Sequence, residues 1–192
     1  MDLPLPPGPR SPTPAGLTLL LGGARSGKSA FAVELARRSA GDVTLIATAT
    51  ALDEDMAARI ERHRAERPGW PTIEEPADLG GALARAPGAH LVVVDCLTLW
   101  VSNLMMASVD EAAILDRAAA SAAIAARRSA PTVVISNEVG LGVHPPTEIG
   151  RRYQDVLGRV NQIWAAAADR SLLLVAGRAV ILRDPWDVLT WT

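Results

Sequence analysis

The chain has 192 residues, enough for one domain with a full core and with little room for a second. Its formal charge of −2 disfavours nucleic acid and anionic membranes as partners, and its single cysteine excludes a disulfide framework and a multi-cysteine metal site. Apolar residues make up 49% of the chain and aromatic residues only 4%, so we expect an aliphatic core. The apolar runs are too short for a membrane span and the single cysteine suits a reducing compartment, so we expect a soluble, cytoplasmic protein.

Residues Met1–Gly16 are rich in proline and lack a continuous apolar run, which predicts a disordered tail rather than a secretory signal. Five short runs follow that are mostly continuously apolar, as in strands buried on both faces of a parallel sheet. They are Thr18–Leu21, Val43–Thr48, Leu91–Asp95, Thr132–Ser136 and Leu172–Ala176. A sixth run, Ala179–Leu182, follows Gly177 so closely that it predicts an antiparallel edge strand.

Segments with helical spacing lie between these runs. They are Ser29–Ser39, Asp53–Arg67, a region from about Leu97 to Arg128, and Thr147–Ala168. Alternating strands and helices predict an α/β fold with a mostly parallel central sheet and helices on both faces. We expect one catalytic domain over residues 17–182, flanked by tails at 1–16 and 183–192.

The motif G-x-x-x-x-G-K-[ST] stands directly after the first predicted strand and before the first predicted helix. Its residues are Gly22, Gly23, Ala24, Arg25, Ser26, Gly27, Lys28 and Ser29. In such a P-loop, backbone N–H groups surround a phosphate chain, the lysine contacts the β and γ oxygens, and the last hydroxyl ligates Mg²⁺. Lys28 is the only lysine, since the other eighteen basic residues are arginines. The motif predicts an enzyme that acts on the phosphates of GTP or ATP.

Three polar residues follow predicted strands, where open α/β sheets bind ligands. Asp95 ends the third run, at the place where P-loop proteins carry an acidic residue that helps to hold Mg²⁺ or its water. An Asp there is also a common helix N-cap, so both roles stay open. Asn137 and Glu138 follow the fourth run, and either contact a substrate or metal or cap the loop.

His63 lies on the inward face of the predicted helix Asp53–Arg67. Its neighbours on and beside that face are Met56, Arg59, Ile60, Arg64 and Arg67. One interpretation is a histidine that fills a core or boundary position and hydrogen-bonds a carbonyl. The other is a nucleophile, because neutral imidazole attacks phosphorus and the surrounding guanidiniums would neutralise the charge of the adduct. The spacing does not decide between them.

Six blocks of residues, in order, resemble the bifunctional adenosylcobinamide kinase/adenosylcobinamide-phosphate guanylyltransferases of cobalamin biosynthesis. The blocks are Gly22–Ser29, Ile46–Ala49, Asp55–Ile60 with His63 and Arg67-Pro68, Asp95–Thr98, Asn137–Gly140 and Gly158–Gln162. The similarity extends from about Leu17 to Gly177 and leaves out both tails. Arg62 departs from the pattern, since some relatives carry a second histidine there.

The resemblance implies two reactions. In the first, the γ-phosphoryl group of ATP or GTP passes to the aminopropanol hydroxyl of adenosylcobinamide. In the second, a histidine attacks the α-phosphorus of GTP, expels pyrophosphate and holds GMP until the substrate phosphate takes it, which yields adenosylcobinamide-GDP. The guanylylated histidine of the family falls on His63. A RecA-like P-loop fold and a homo-oligomer, a trimer, are also implied.

The resemblance further implies nucleotide contacts from the P-loop, from residues that follow the second strand, from residues that follow His63, and from two acidic residues. Outside the P-loop these are Ala47, Thr48, Ala49, Arg64, Ala65, Glu66, Arg67, Glu74 and Asp95, with Ser29 and Asp95 as ligands of Mg²⁺. His90 and His144 are poorer nucleophile candidates, because the first precedes a buried strand and the second lies in a proline-containing loop. No chemistry is assigned to Arg159, Asn161 or Gln162.

Three alternatives remain. A single-activity small-molecule kinase would keep the P-loop and have no use for His63. A Ras-like GTP switch is disfavoured because its Asn-Lys-x-Asp guanine motif needs a lysine that this chain lacks. A DNA-dependent ATPase is disfavoured by the acidic charge and by the lack of stripes of aromatic and basic residues.

Overall fold

The computed structural model describes residues 16–39, 41–50 and 69–189. This part of the chain contains seven strands and six helices. In chain order they are β1 (Leu17–Gly22), α1 (Lys28–Arg38), β2 (Val43–Ala47), β3 (Thr72–Glu74), α2 (Leu79–Arg85), β4 (Leu91–Asp95), α3 (Leu97–Met106), α4 (Glu111–Ala126), β5 (Thr132–Ile135), α5 (Glu148–Ala167), β6 (Arg170–Val175), β7 (Arg178–Leu182) and α6 (Pro185–Val188).

The strands form one sheet in the order β3-β2-β4-β5-β1-β6-β7. The first six strands run parallel, and β7 pairs antiparallel with β6 at one edge. Every residue of the central strands β1 and β5 is buried, as their continuous apolar sequences require. The prediction of a mostly parallel α/β sheet with an antiparallel edge is confirmed.

Two cores lie on the two faces of the sheet. On one face, α1 places Ala32 and Ala36 against aliphatic strand residues such as Leu20 and Val93. On the other face, α2 to α5 build the larger core, and its biggest fully buried side chains are Trp100 and Trp164. Helices therefore cover both faces, as predicted. The phosphate motif connects β1 to α1, the helix of the smaller core.

The predicted helical region from Leu97 to Arg128 is two helices. The chain turns between α3 and α4, where Ser108 adopts a left-handed φ of +58° and the Asp110 carboxylate accepts a hydrogen bond from the Ala113 N–H as the N-cap of α4. A helical pattern in an apolar, Ala-rich stretch does not reveal such a break, because the same periodicity continues on both sides.

The elements β3, α2 and α6 were not predicted. β3 has three residues, too few for an alternating pattern, and α2 contains two adjacent glycines that lower its helical signal. The predicted helix Asp53–Arg67 lies outside the described residues. No helix in the described ranges is long and apolar enough to cross a membrane.

Candidate functional site

The P-loop connects the end of β1 to the start of α1. Gly23, Ala24 and Arg25 are exposed at its outer side, while Ser26 is buried beneath them. Gly27 has a φ of +97°, a conformation that L side chains rarely adopt, and α1 begins at the next residue. No acidic residue occupies the first turn of α1, so the free N–H groups and the positive dipole end of the helix face the loop.

Lys28 is the first residue of α1, and its side chain folds back over the loop. Its Nζ donates to the carbonyl oxygen of Gly23 at 2.7 Å, although the residue is only 7% exposed. A buried ammonium group spanning the loop lies where a phosphate chain would replace the carbonyl as its partner. The contact of Lys28 with a nucleotide phosphate stays a prediction.

Two hydroxyl groups belong to the loop. The Oγ of Ser26 is buried and has no hydrogen-bond partner within the described part of the chain. Ser29 lies half-buried in the first turn of α1. An unpartnered buried hydroxyl has a free energy cost, which a bound polar ligand or water would relieve.

Three of the predicted contact residues form one row across neighbouring strands. In the sheet register, Ala47 of β2 pairs with Glu74 of β3 on one side and with Asp95 of β4 on the other. In-register side chains of parallel strands point to the same face, and Asp95 lies two residues beyond Val93, on the strand face that packs against α1. The carboxylates of Glu74 and Asp95 therefore lie on the α1 side of the carboxyl edge.

The corner after β4 is held by Thr48, which is fully buried. The Thr48 hydroxyl accepts from the Cys96 N–H at 2.8 Å and donates to the Cys96 carbonyl at 2.7 Å. The Asn103 side chain donates to the Thr48 carbonyl at 2.7 Å. The hydroxyl of Thr48 thus shapes the corner that carries Asp95, a role that the sequence does not reveal.

The pKa of the Cys96 thiol depends on the charged groups around this corner. Burial, together with the Asp95 carboxylate, raises its pKa to about 11, while Lys28 acts in the opposite direction. Both charges therefore act on the same thiol. The carboxylate that ends β4 and the lysine that begins α1 are therefore both close enough to Cys96 to affect its thiol.

The loop after β5 is tied to the P-loop. The Glu138 N–H donates to the Gly22 carbonyl at 3.1 Å, and the Glu138 carboxylate accepts from the Gly140 N–H at 2.8 Å. The Asn137 N–H donates to the hydroxyl of Thr98 at 2.8 Å. These contacts support the interpretation of Asn137 and Glu138 as residues that shape the loop, and they leave a ligand contact as a prediction.

The structure gives α5 residues a structural role. The Asn161 Nδ2 donates to the Asn137 carbonyl at 3.0 Å, and its Oδ1 accepts from the Ser136 hydroxyl at 2.6 Å. Arg159 forms a salt bridge with Glu111 of α4. Gln162 is exposed. Asn161 therefore positions the loop that touches the P-loop, whereas Arg159 joins two helices.

Two of the three histidines lie within the described ranges. His90 precedes β4 at the amino edge of the sheet, opposite the P-loop, where its Nδ1 is 2.9 Å from the Thr44 hydroxyl. His144 is exposed in the loop before α5. His63 and the predicted contacts Arg64, Ala65, Glu66 and Arg67 lie outside the described residues, so their roles stay predictions.

The oxygen donors near the P-loop fit a Mg²⁺ ion. The hydroxyl of Ser29 and the carboxylate of Asp95 are of the type that Mg²⁺ prefers. Within the described ranges, no group of three or more His, Cys, Asp or Glu side chains could hold a metal. A site with only one or two protein ligands is enough for Mg²⁺, because the ion usually keeps several waters and binds phosphate oxygens of the nucleotide.

Comparison with known proteins adds an independent finding. The family of cobinamide kinases / cobinamide phosphate guanyltransferases matches residues 18–182. The bifunctional adenosylcobalamin biosynthesis protein CobP of Pseudomonas aeruginosa is 41% identical over 167 residues, which cover 86% of this chain and 96% of that protein. The corresponding protein CobU of Escherichia coli is 37% identical over 181 residues, covering 87% and 99%.

A solved structure with low sequence identity shares the fold. A protein of Pyrococcus horikoshii OT3 is similar with a TM-score of 0.54 at 7% identity, covering 91% of this chain and 89% of that one. The RadB recombinase has a TM-score of 0.48 at 18% identity, with coverage of 84% and 74%. The P. horikoshii likeness concerns the fold alone.

Proposed function

This chain belongs to the cobinamide kinase / cobinamide phosphate guanyltransferase family, and we propose that it performs both the kinase reaction and the guanylyltransferase reaction, two steps of cobalamin biosynthesis, with nucleotide bound at its P-loop. The observation that supports the proposal is that Lys28 and Ser29 begin α1 directly after β1, while Asp95 ends β4 at the same carboxyl edge of the sheet. In P-loop proteins these residue types hold the phosphates and their metal ion.

In the kinase reaction, the hydroxyl of the aminopropanol arm of adenosylcobinamide attacks the γ-phosphorus of ATP or GTP. A new P–O bond forms, the bond to the β-phosphate oxygen breaks, and ADP or GDP leaves. Lys28 would leave the Gly23 carbonyl and bind β and γ oxygens, where it neutralises developing charge. The N–H groups of the loop and the start of α1 would bind the remaining oxygens.

In the guanylyltransferase reaction, a ring nitrogen of His63 attacks the α-phosphorus of GTP and pyrophosphate leaves. The phosphate oxygen of adenosylcobinamide phosphate then attacks the same phosphorus, displaces the imidazole and yields adenosylcobinamide-GDP. Support for His63 comes from its arginine-rich surroundings in the sequence and from the positions of the other histidines. His90 lies at the opposite edge of the sheet, and His144 is exposed in a loop.

A bound Mg²⁺ would neutralise phosphate charge and orient the phosphates in both reactions. We propose Ser29 and Asp95 as its protein ligands. Nucleotide contacts are proposed for the P-loop, for Ala47 to Ala49, and for Glu74. In the sheet, Ala47 pairs with Glu74 on one side and with Asp95 on the other.

We also propose a cytoplasmic homo-oligomer, in keeping with the trimer that the family resemblance implies. The support is the edge strand β7, all of whose residues are exposed. Val180 is 57% and Ile181 is 67% exposed, and Trp186 of α6 is 81% exposed. An edge strand with exposed apolar side chains is a ready site for association, which sedimentation equilibrium would detect.

The test of the transferase reaction is covalent labelling with GTP. We expect wild-type protein incubated with α-labelled GTP and Mg²⁺ to form an adduct that is stable to base and labile to acid, as a phosphoramidate is. His63→Ala should abolish the label, whereas His144→Ala, a change at an exposed histidine, should keep it. Wild-type protein that binds GTP and never becomes labelled would refute the covalent route and leave a single-activity kinase.

Lys28→Ala tests whether one P-loop serves both reactions. Removal of its charge should reduce both the phosphorylation of adenosylcobinamide and the labelling by GTP by about 10- to 100-fold or more, since hydrogen bonds from charged groups contribute ~1.5–3 kcal/mol. His63→Ala should reduce only labelling. Unchanged kinase activity in Lys28→Ala would show that the kinase step does not use this loop.

A further inference from the structure

The turn between β6 and β7 lies directly against the P-loop, on strands that no step above uses. The Gly177 N–H donates to the Ser26 carbonyl at 3.0 Å. A Cβ atom on Gly27 would lie 3.3 Å from the Cα of Gly177. Gly22, at the start of the loop, is in register with Leu174 near the end of β6. The hairpin therefore contacts the loop at both ends.

We propose that the β6–β7 turn is a positioning element that orients the P-loop for phosphate, with Gly177 as its key residue. In a planar trans peptide, the C=O and the following N–H point in opposite directions. Because the Ser26 carbonyl is directed at Gly177, the Gly27 N–H is directed away from the hairpin. In a P-loop, N–H groups of this kind are the ones that bind phosphate.

A second contact works in the same way from the other side of the loop. The Glu138 N–H holds the Gly22 carbonyl at 3.1 Å, which directs the Gly23 N–H away from the loop after β5. Two neighbouring elements thus fix two peptide units of the P-loop before a phosphate arrives. Preorganised donors bind more tightly because less conformational freedom is lost on binding.

The backbone of the turn supports a positioning role. Ala176 has a φ of +49° and Gly177 has a φ of +73°, and Val175 pairs with Arg178 across them. Two left-handed residues make the two-residue hairpin turn whose twist matches the strands. Glycine adopts this conformation readily, whereas alanine does so at a cost. The residue that makes the hydrogen bond to Ser26 is the glycine.

The inference rests on nucleotide binding by the P-loop, and its test uses the full chain with two ligands. In Gly177→Val, a β-branched residue at a left-handed position should displace the turn. We expect calorimetry to show at least a tenfold loss of affinity for GTP, and a loss by the same factor for inorganic tripolyphosphate, because the turn acts on the phosphate cradle and not on the base. Ala176→Gly keeps the turn and the N–H groups of Gly177 and Glu138 that hold the P-loop, so its affinity for both ligands should stay within twofold of the wild type.

A matched control separates positioning from general loss of stability. Ser108 is also left-handed, with a φ of +58°, in the turn between α3 and α4 on the opposite face of the sheet from α1. Ser108→Val should lower the melting temperature as Gly177→Val does and leave both affinities within twofold. If Gly177→Val does not unfold cooperatively, Gly177→Ala replaces it, with an expected loss of at least threefold.

The outcomes are distinguishable. Wild-type protein that binds neither ligand refutes the nucleotide site and, with it, this inference. Wild-type binding that Gly177→Val and Gly177→Ala retain within twofold refutes the inference alone. Equal losses of affinity in Ser108→Val and Gly177→Val also refute it, because the effect would then follow stability. A loss confined to GTP, with tripolyphosphate binding unchanged, refutes action through the phosphate cradle.

Discussion

Replacement of Asn161 by Ala tests how the fold supports the loop beside the P-loop. Asn161 is 5% exposed, and its side chain joins the fully buried hydroxyl of Ser136 to the carbonyl of Asn137. Removing the amide loses two hydrogen bonds and leaves the buried hydroxyl of Ser136 and the part-buried carbonyl of Asn137 without this partner. Each such group costs ~1–3 kcal/mol, so the free energy of unfolding should fall by about 2–5 kcal/mol.

For a chain of this size, each kcal/mol shifts the melting temperature by about 2–4 °C, so Asn161→Ala should melt about 4–20 °C lower. Urea unfolding followed by tryptophan fluorescence measures the change, because Trp100 and Trp164 are fully buried. The dependence on urea should stay the same if the native fold is kept. Gln162→Ala, at the exposed neighbouring residue, should change the free energy by less than about 0.5 kcal/mol.

A double-mutant cycle with Ser136→Ala completes this test. Because the two side chains share a 2.6 Å hydrogen bond, the double variant should lose less stability than the two single variants together, with a coupling of about 1 kcal/mol. Asn161→Asp keeps the acceptor for Ser136 and places an oxygen against the Asn137 carbonyl, so it should also destabilise. Asn161→Ala within about 0.5 kcal/mol of the wild type would refute the reasoning.

Two further predictions concern stability. Arg128 donates to the carbonyls of Leu83, Ala86, Pro87 and His90, so Arg128→Ala should lower the free energy of unfolding by about 2–4 kcal/mol, whereas Arg127→Ala, at an exposed neighbour, should leave it nearly unchanged in urea melts. The pKa of the Cys96 thiol is raised to about 11 from 9.0, so above pH 9 the unfolded chain loses this proton first and stability falls until about pH 11. The loss of stability in the wild type should exceed the loss in Cys96→Ala by about 2–3 kcal/mol, and Tyr153, whose pKa is raised mainly by burial, contributes to the loss in both proteins. An equal loss in both proteins would contradict the assignment to Cys96.

Much of the fold and the phosphate site follows from local sequence. Continuous apolar runs predict buried parallel strands, and the edge hairpin follows from the short distance between the last two runs. The P-loop is readable because its glycines, lysine and serine serve backbone geometry and charge within eight consecutive residues. In the structure, Lys28 begins α1 and hydrogen-bonds the Gly23 carbonyl, and its phosphate contact stays a prediction.

The contacts that hold the site in shape depend on which strands become neighbours. β1 lies between β5 and β6, so Glu138 and Gly177, remote from the P-loop in sequence, each donate to one of its carbonyls. Asn161 and Thr48 are polar residues whose buried partners exist only after helices and strands have packed. Strand and helix periodicity is a property of adjacent residues and could be predicted from the sequence, whereas each buried polar group takes its partner from the strand order, which the tertiary structure alone decides.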